Sequence, residues 1–188
     1  RSLLEKQGPQ YRGHSPVYFK IVRRIAEKLR MSAEAISCLY YASILHNAGA
    51  VDVPYQVLAK KGQLTGEDFK LIRDLPQKSA DLIKPIDFLR PVLPIVLYLH
   101  ERYDGTGYPE GLAGEDIPLG SRLLAVADSF DSMTTDRAYR KAMNVEDAIK
   151  ELRKSCGTQL CPVAVEAFVS SLESNHIWRS WPRPQSAK

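Results

Sequence analysis

The stretch that frames this chain is "HERYDGTGYPEGLAGEDIP", residues 100–118. Residues 104–120 hold five of the protein's eleven glycines, together with Pro109 and Pro118. Such a cluster breaks regular structure. Helical patterning stops just before it and resumes just after it, so the segment reads as a structured loop between helices rather than a linker. Gly105, Gly107, Gly111 and Gly114 permit positive φ and close approach of the backbone to a ligand. Tyr103 and Tyr108 offer aromatic faces on which a base could stack. The plainer alternative is a compact Ω-loop that only connects two helices, and the loop alone does not decide between them.

Outward from the loop, apolar residues recur at three- and four-residue steps, the spacing of one helix face. On the N-terminal side His14, Val17, Tyr18, Ile21, Ile25 and Leu29 mark such a face. Ser32 reads as the N-cap of a second helix, with a face through Ile36, Leu39, Tyr40 and Ile44 that ends near Gly49. "VDVPYQVLAKKGQL" is expected to be loop with at most one helical turn. Thr65 caps the next helix, with Glu67 and Asp68 in its first turn, where the helix dipole favours acids. Pro76 should end or kink that helix. Residues 91–101 read as another, with Pro94 tolerable only in the first turn. Beyond the loop, Leu119, Leu123, Val126, Phe130 and Met133 form one stripe. Asn144 caps a helix through Leu152, and a last helix covers 162–172. No β-alternation and no repeat is visible. The expected fold is therefore all-α, a bundle of about six helices. We expect one domain over residues 1–174 and a C-terminal tail over 175–188.

With 188 residues, the chain is long enough for one domain that buries about 70% of its unfolded surface. Its net charge of +4 permits an anionic ligand, but without a long Lys/Arg run it does not point to nucleic acid. No apolar stretch approaches the ~20 residues of a membrane helix. Cys38, Cys156 and Cys161 fit no zinc spacing, so reduced thiols and a cytoplasmic location are expected.

There are four histidines, His14, His46, His100 and His176. The first three sit on or at the end of apolar helices. A single histidine in that setting is most often a hydrogen-bonded core residue. Three from three helices, with Asp128 embedded in "LLAVADSF", weigh toward a shared metal site. A buried carboxylate is costly unless paired or ligating, and helical bundles build metal sites from inward-facing side chains. "DRAYRK", residues 136–141, brings together Arg137, Arg140 and Lys141. Arginine's planar fork suits phosphate, although the same run also reads as a solvated basic turn.

The longer segment "HERYDGTGYPEGLAGEDIPLGSRLLAVADSFDSMTTDRAYRKAM" closely resembles the signature region of the HD-GYP family. These are bacterial phosphodiesterases that hydrolyse cyclic-di-GMP. The resemblance runs from the His14 helix to about Leu172, and its most specific part is Gly107-Tyr108-Pro109. It implies an HD-type helical bundle holding a cluster of metal ions, often iron or manganese, whose bridging hydroxide attacks phosphorus. It also implies metal ligands at His14, His46, His100 and Asp128. A ligand-facing tyrosine is implied at Tyr108, with Arg137 and Arg140 facing the dinucleotide.

The departures from that pattern fall on the chemistry. In "SILHNAGAVDVP", Asn47 stands where the family has the aspartate of its His-Asp pair. Ala50 stands where it has a lysine. Leu75 and Leu99 replace histidines, and Gln10 holds a position where some members have a metal-binding glutamate. Four ligands at most remain, enough for at most one transition metal ion (iron, manganese or zinc) and too few for a bridged pair. The sequence therefore leads us to expect a degenerate HD-GYP domain, with no catalytic residue set intact, that binds cyclic-di-GMP or a signalling protein without hydrolysing the dinucleotide. The alternatives are a weakly active metal-dependent phosphodiesterase and a structural dimerisation domain. The resemblance further implies contact with a GGDEF-type partner through the GYP loop, and homodimerisation is a further expectation.

Overall fold

A computed structural model describes residues 16–58, 60, 62–63, 65–136 and 141–174. Its elements in chain order are α1 (Pro16–Lys28), α2 (Ala33–Leu45), a 3-10 turn (Ala48–Asp52), α3 (Tyr55–Leu58), α4 (Gly66–Arg73) and α5 (Leu75–Ile83). A second 3-10 turn (Asp87–Val92) leads into α6 (Leu93–Leu97), and after the loop follow α7 (Leu119–Thr134), α8 (Val145–Lys154) and α9 (Pro162–Ser174). Among the described residues no strand forms, only isolated bridges at Asp104–Ala113 and Cys156–Leu160. No helix there is long and apolar enough to cross a membrane.

The capping residues act as the sequence implies. Ser32, Thr65 and Asn144 each accept a backbone N–H of the first helical turn. Thr65 and Asp68 complete a reciprocal capping box, which satisfies two of the donors a helix start leaves open.

Three boundaries differ from the expectation. The helix capped by Thr65 ends at Arg73, just before Pro76 as expected, but Pro76 itself lies in the first turn of a following helix, α5, where its missing N–H is harmless. The expected helix over 91–101 is split into a 3-10 turn and the short α6, so His100 lies in the turn beyond Leu97 rather than on a helix. The reason is the pair Pro91 and Pro94, which removes two backbone donors from one short segment. The third difference is the buried side of α2, which is Leu39, Ala42 and Ser43, while Tyr40 and Ile44 are exposed. This helix carries apolar side chains around most of its circumference, so spacing alone could not orient it.

The main core gathers α1, α2, α6, α7, α8 and α9 around Tyr18, Ile21, Leu124, Phe130 and Phe168. A smaller apolar cluster of Ala50, Val53, Leu58 and Leu75 sits under the turn that follows α2. That turn presses on α5. A Cβ at Gly49 would lie 2.7 Å from both Lys78 Cβ and Ser79 N, and 2.9 Å from Leu75 O. Backbone atoms cannot yield as a flexible side chain can. Gly49→Ala should therefore destabilise the fold by about 1–3 kcal/mol in chemical denaturation; an unchanged midpoint would show that the turn and α5 do not pack this closely.

Candidate functional site

The site begins at the C-terminal end of α2. His46 is the C-cap residue, 4% exposed, and its backbone N–H still bonds to Ala42 O. Its ring Nδ1 lies 3.2 Å from the same carbonyl. A carbonyl can only accept, so in the neutral ring Nδ1 carries the proton and Nε2 keeps its lone pair. The side-chain amide of Asn47 lies 2.8 Å from that Nε2 through its Nδ2. Asp128, on α7, brings Oδ1 to 3.7 Å from Nε2, beyond hydrogen-bond reach. The Asp128 side chain is 32% exposed, which corrects the expectation of a buried carboxylate. Although its neighbours in sequence are apolar, α7 turns it toward a cavity rather than into the core.

Ser79, on α5, fixes the backbone around this pair. Its hydroxyl donates to His46 O at 2.7 Å and accepts from Gly49 N at 2.9 Å. It is fully buried. Nothing in the sequence marked it, because a serine inside a helix is ordinarily a surface residue.

The second part of the site is the glycine-rich loop. Tyr108 N–H donates to His100 O at 3.3 Å. The two rings stack with centroids 5.3 Å apart, and the Arg73 guanidinium lies 5.1 Å from the Tyr108 ring centroid. Burial pushes the Tyr108 hydroxyl pKa up, and Arg73 partly opposes this. Burial pushes the His100 pKa down, against the pull of Asp128. His100 is thus held toward its neutral form. A Cβ at Gly107 would meet Arg102 N at 2.2 Å and Glu101 Cα at 2.5 Å, so only glycine permits this return of the chain. Glu101 is 5% exposed and accepts at Oε1 from Glu110 N (2.7 Å) and Gly111 N (3.0 Å). On the outer side, Arg102 and Thr106 both bond Asp104. With the Arg102 hydrogen bond as the largest cause, they hold its carboxyl well below the usual range.

Between the two parts lies a cavity of about 270 Å³ bordered by Leu99, His100, Tyr108, Asp128, Ser129 and Gln159, among others. It unites His100, Tyr108 and Asp128 from the expected set. His46 reaches the arrangement through Asp128, while His14, Arg137 and Arg140, like Gln10 and His176, lie outside the described residues. Ser129, Gln159, Arg73 and Glu101 were not legible as site residues. Only Glu101 had a signal, a carboxylate adjoining the glycine-rich loop.

The fit to a metal pair is poor on the chemistry of the donors. Asn47 aims an N–H, not an anionic oxygen, at His46. Leu99 is 4% exposed within the main core, and Ala50 and Leu75 belong to the smaller cluster. Among the described residues no group of three or more His, Cys, Asp or Glu side chains gathers. These residues do not fit a bridged pair of ions.

A helical bundle with a histidine at the end of α2 facing an aspartate on α7 and a glycine-rich loop above them defines an HD-type domain. The family comparison agrees: residues 1–161 match the HD domain family, and the chain belongs to it. Its relatives include a "Cyclic di-GMP phosphodiesterase response regulator RpfG" of Xanthomonas campestris, 36% identical over 147 residues, which cover 77% of this chain and 39% of that protein. A "Cyclic di-GMP phosphodiesterase" of Thermotoga maritima is 35% identical over 150 residues, covering 78% of this chain and 40% of that one. The chain thus spans about two fifths of the length of these relatives. A cyclic GMP-AMP specific phosphodiesterase of Vibrio cholerae shares the fold with TM-score 0.68 at 22% identity, over 93% of this chain and 46% of that one. The HD domain of Listeria monocytogenes PgpH, solved with cyclic-di-AMP, shares it with TM-score 0.59 at 13% identity, over 97% of each chain.

Replacing Glu101 by alanine leaves the Glu110 and Gly111 amides without their acceptor; both residues are exposed, so the cost is about 1 kcal/mol and local to the loop. Hydrogen exchange at these two amides should accelerate more than at α9. Equal acceleration everywhere would mean that Glu101 supports the whole fold rather than the loop.

Proposed function

We propose that this domain binds a cyclic dinucleotide of the cyclic-di-GMP class and that its capacity to hydrolyse it is lost. The observation that carries the proposal is the contrast within one site. The loop that forms the mouth of the cavity is fully built, with Tyr108 held between His100 and Arg73 contacts. The positions that would complete a metal pair are an amide, an alanine and two leucines, three of them in the apolar clusters. Arg137 and Arg140 are the proposed phosphate contacts, because a guanidinium forks onto two oxygens at once.

The relatives favour a second reading. Their names are those of cyclic-di-GMP phosphodiesterases, which supports retained hydrolysis over a purely binding role. In this reading a single ion near His46 and Asp128 would supply an activated water and charge neutralisation at phosphate. His46 and Asp128 would hold it, and the loop would orient the ligand.

Calorimetry with cyclic-di-GMP, run beside a hydrolysis assay on the same preparation with added manganese or iron, separates the two. Binding without conversion to the linear dinucleotide or GMP is the expected result. Arg137→Ala and Arg140→Ala should each weaken binding roughly tenfold, about 1.4 kcal/mol. Metal-dependent turnover abolished by His46→Ala would establish the second reading instead. No binding at millimolar ligand would sink both.

A further inference from the structure

We propose that the Asn47 carboxamide does in this chain the holding work that would otherwise fall to a cation, so that the His46 ring is fixed without a metal. The inference rests on side-chain geometry at the end of α2 and not on the identity of the ligand. His46 Nδ1 donates to Ala42 O, and Asn47 Nδ2 donates to the Nε2 lone pair at 2.8 Å. Both ring nitrogens are thereby engaged. The Nε2 lone pair is the one that would coordinate an ion, and here it already has a donor.

An aspartate at this position would behave differently. An ionised carboxylate only accepts. Two lone-pair-bearing atoms at this separation repel unless a cation or a proton stands between them. Asp128 Oδ1, 3.7 Å from the same nitrogen, would add to the demand for positive charge. The amide removes that demand with no change in side-chain size. The amide therefore replaces a pair that needs a cation or an added proton with one that needs neither. Ser79, which ties the His46 carbonyl to the Gly49 amide, places the backbone from which the ring projects.

Two measurements test this on the whole chain. Imidazole nitrogen NMR of the wild-type protein should show His46 as the neutral Nδ1–H tautomer, with a spectrum unchanged by excess EDTA. An Nε2–H tautomer, an imidazolium, or a metal-bound nitrogen signal that EDTA abolishes would overturn the proposal. Thermal melts in EDTA and in millimolar Mn²⁺ form the second arm. The wild type should melt at the same temperature in both. Asn47→Asp should melt lower in EDTA by about 2–8 °C and recover most of that loss in Mn²⁺. If the wild type gains as much from Mn²⁺ as Asn47→Asp does, or if Asn47→Asp in EDTA melts with the wild type, Asn47 is not the substitute. The NMR arm needs no variant, so it holds even if Asn47→Asp fails to fold.

Discussion

The Ser79 hydroxyl is the contact on which the site depends. It donates to His46 O and accepts from Gly49 N, both buried, and so joins the end of α2, the following turn and the middle of α5. Helix α2 stops at this point, and its last carbonyls lack intrahelical donors. Without Ser79 the His46 carbonyl and the Gly49 amide would each be buried without this partner, a penalty of roughly 1–3 kcal/mol apiece. The close seating of Gly49 on α5 leaves no room for water to take its place. The position of the His46 ring thus follows from backbone packing first and from side-chain partners second.

This order explains why the positions around the turn can be apolar without loss of the fold. Ala50 and Leu75 lie in one small apolar cluster with Val53 and Leu58, and Leu99 lies in the main core. Each of these side chains is stabilised by burial alone, at about 25 cal/mol per Å² of apolar surface, and needs no solvation, bond or ligand. The backbone frame set by Ser79 and Gly49 rests on main-chain groups and the Ser79 hydroxyl, not on the side chains at 50, 75 or 99.

Much of the fold was readable because its signals are local. Ser32, Thr65 and Asn144 cap helices by contacts three residues away, and the stripe of α7 is buried at Leu123, Val126 and Phe130. The failures arose where local and global terms compete. Pro91 and Pro94 divide one apolar run into two short elements, and α2 is too uniformly apolar for its spacing to choose a side. In the site, His46, His100, Tyr108 and Asp128 were recognisable by residue type and by resemblance. Ser79, Arg73 and Gln159 were not, because each acts across a large sequence separation. Asp128 shows the limit most clearly: its apolar neighbours implied burial, yet one turn of α7 presents it to a cavity.

The two parts of the site differ in what holds them. The loop is closed by its own bonds: Glu101 to two amides, Asp104 to Arg102 and Thr106, and Tyr103 and Asp104 N–H groups to Gln159 and Thr158 carbonyls. None of these involves His46, Asn47, Ala50 or Leu75. The bonds that close the loop are thus separate from those that hold the His46 pair. The pair His100 and Asp128 line the cavity together, and the Asp128 charge partly offsets the burial that lowers the His100 pKa. Asp128, which lines the cavity and lies 3.7 Å from His46 Nε2, is a link through which ligand at the loop can be felt at the His46 pair.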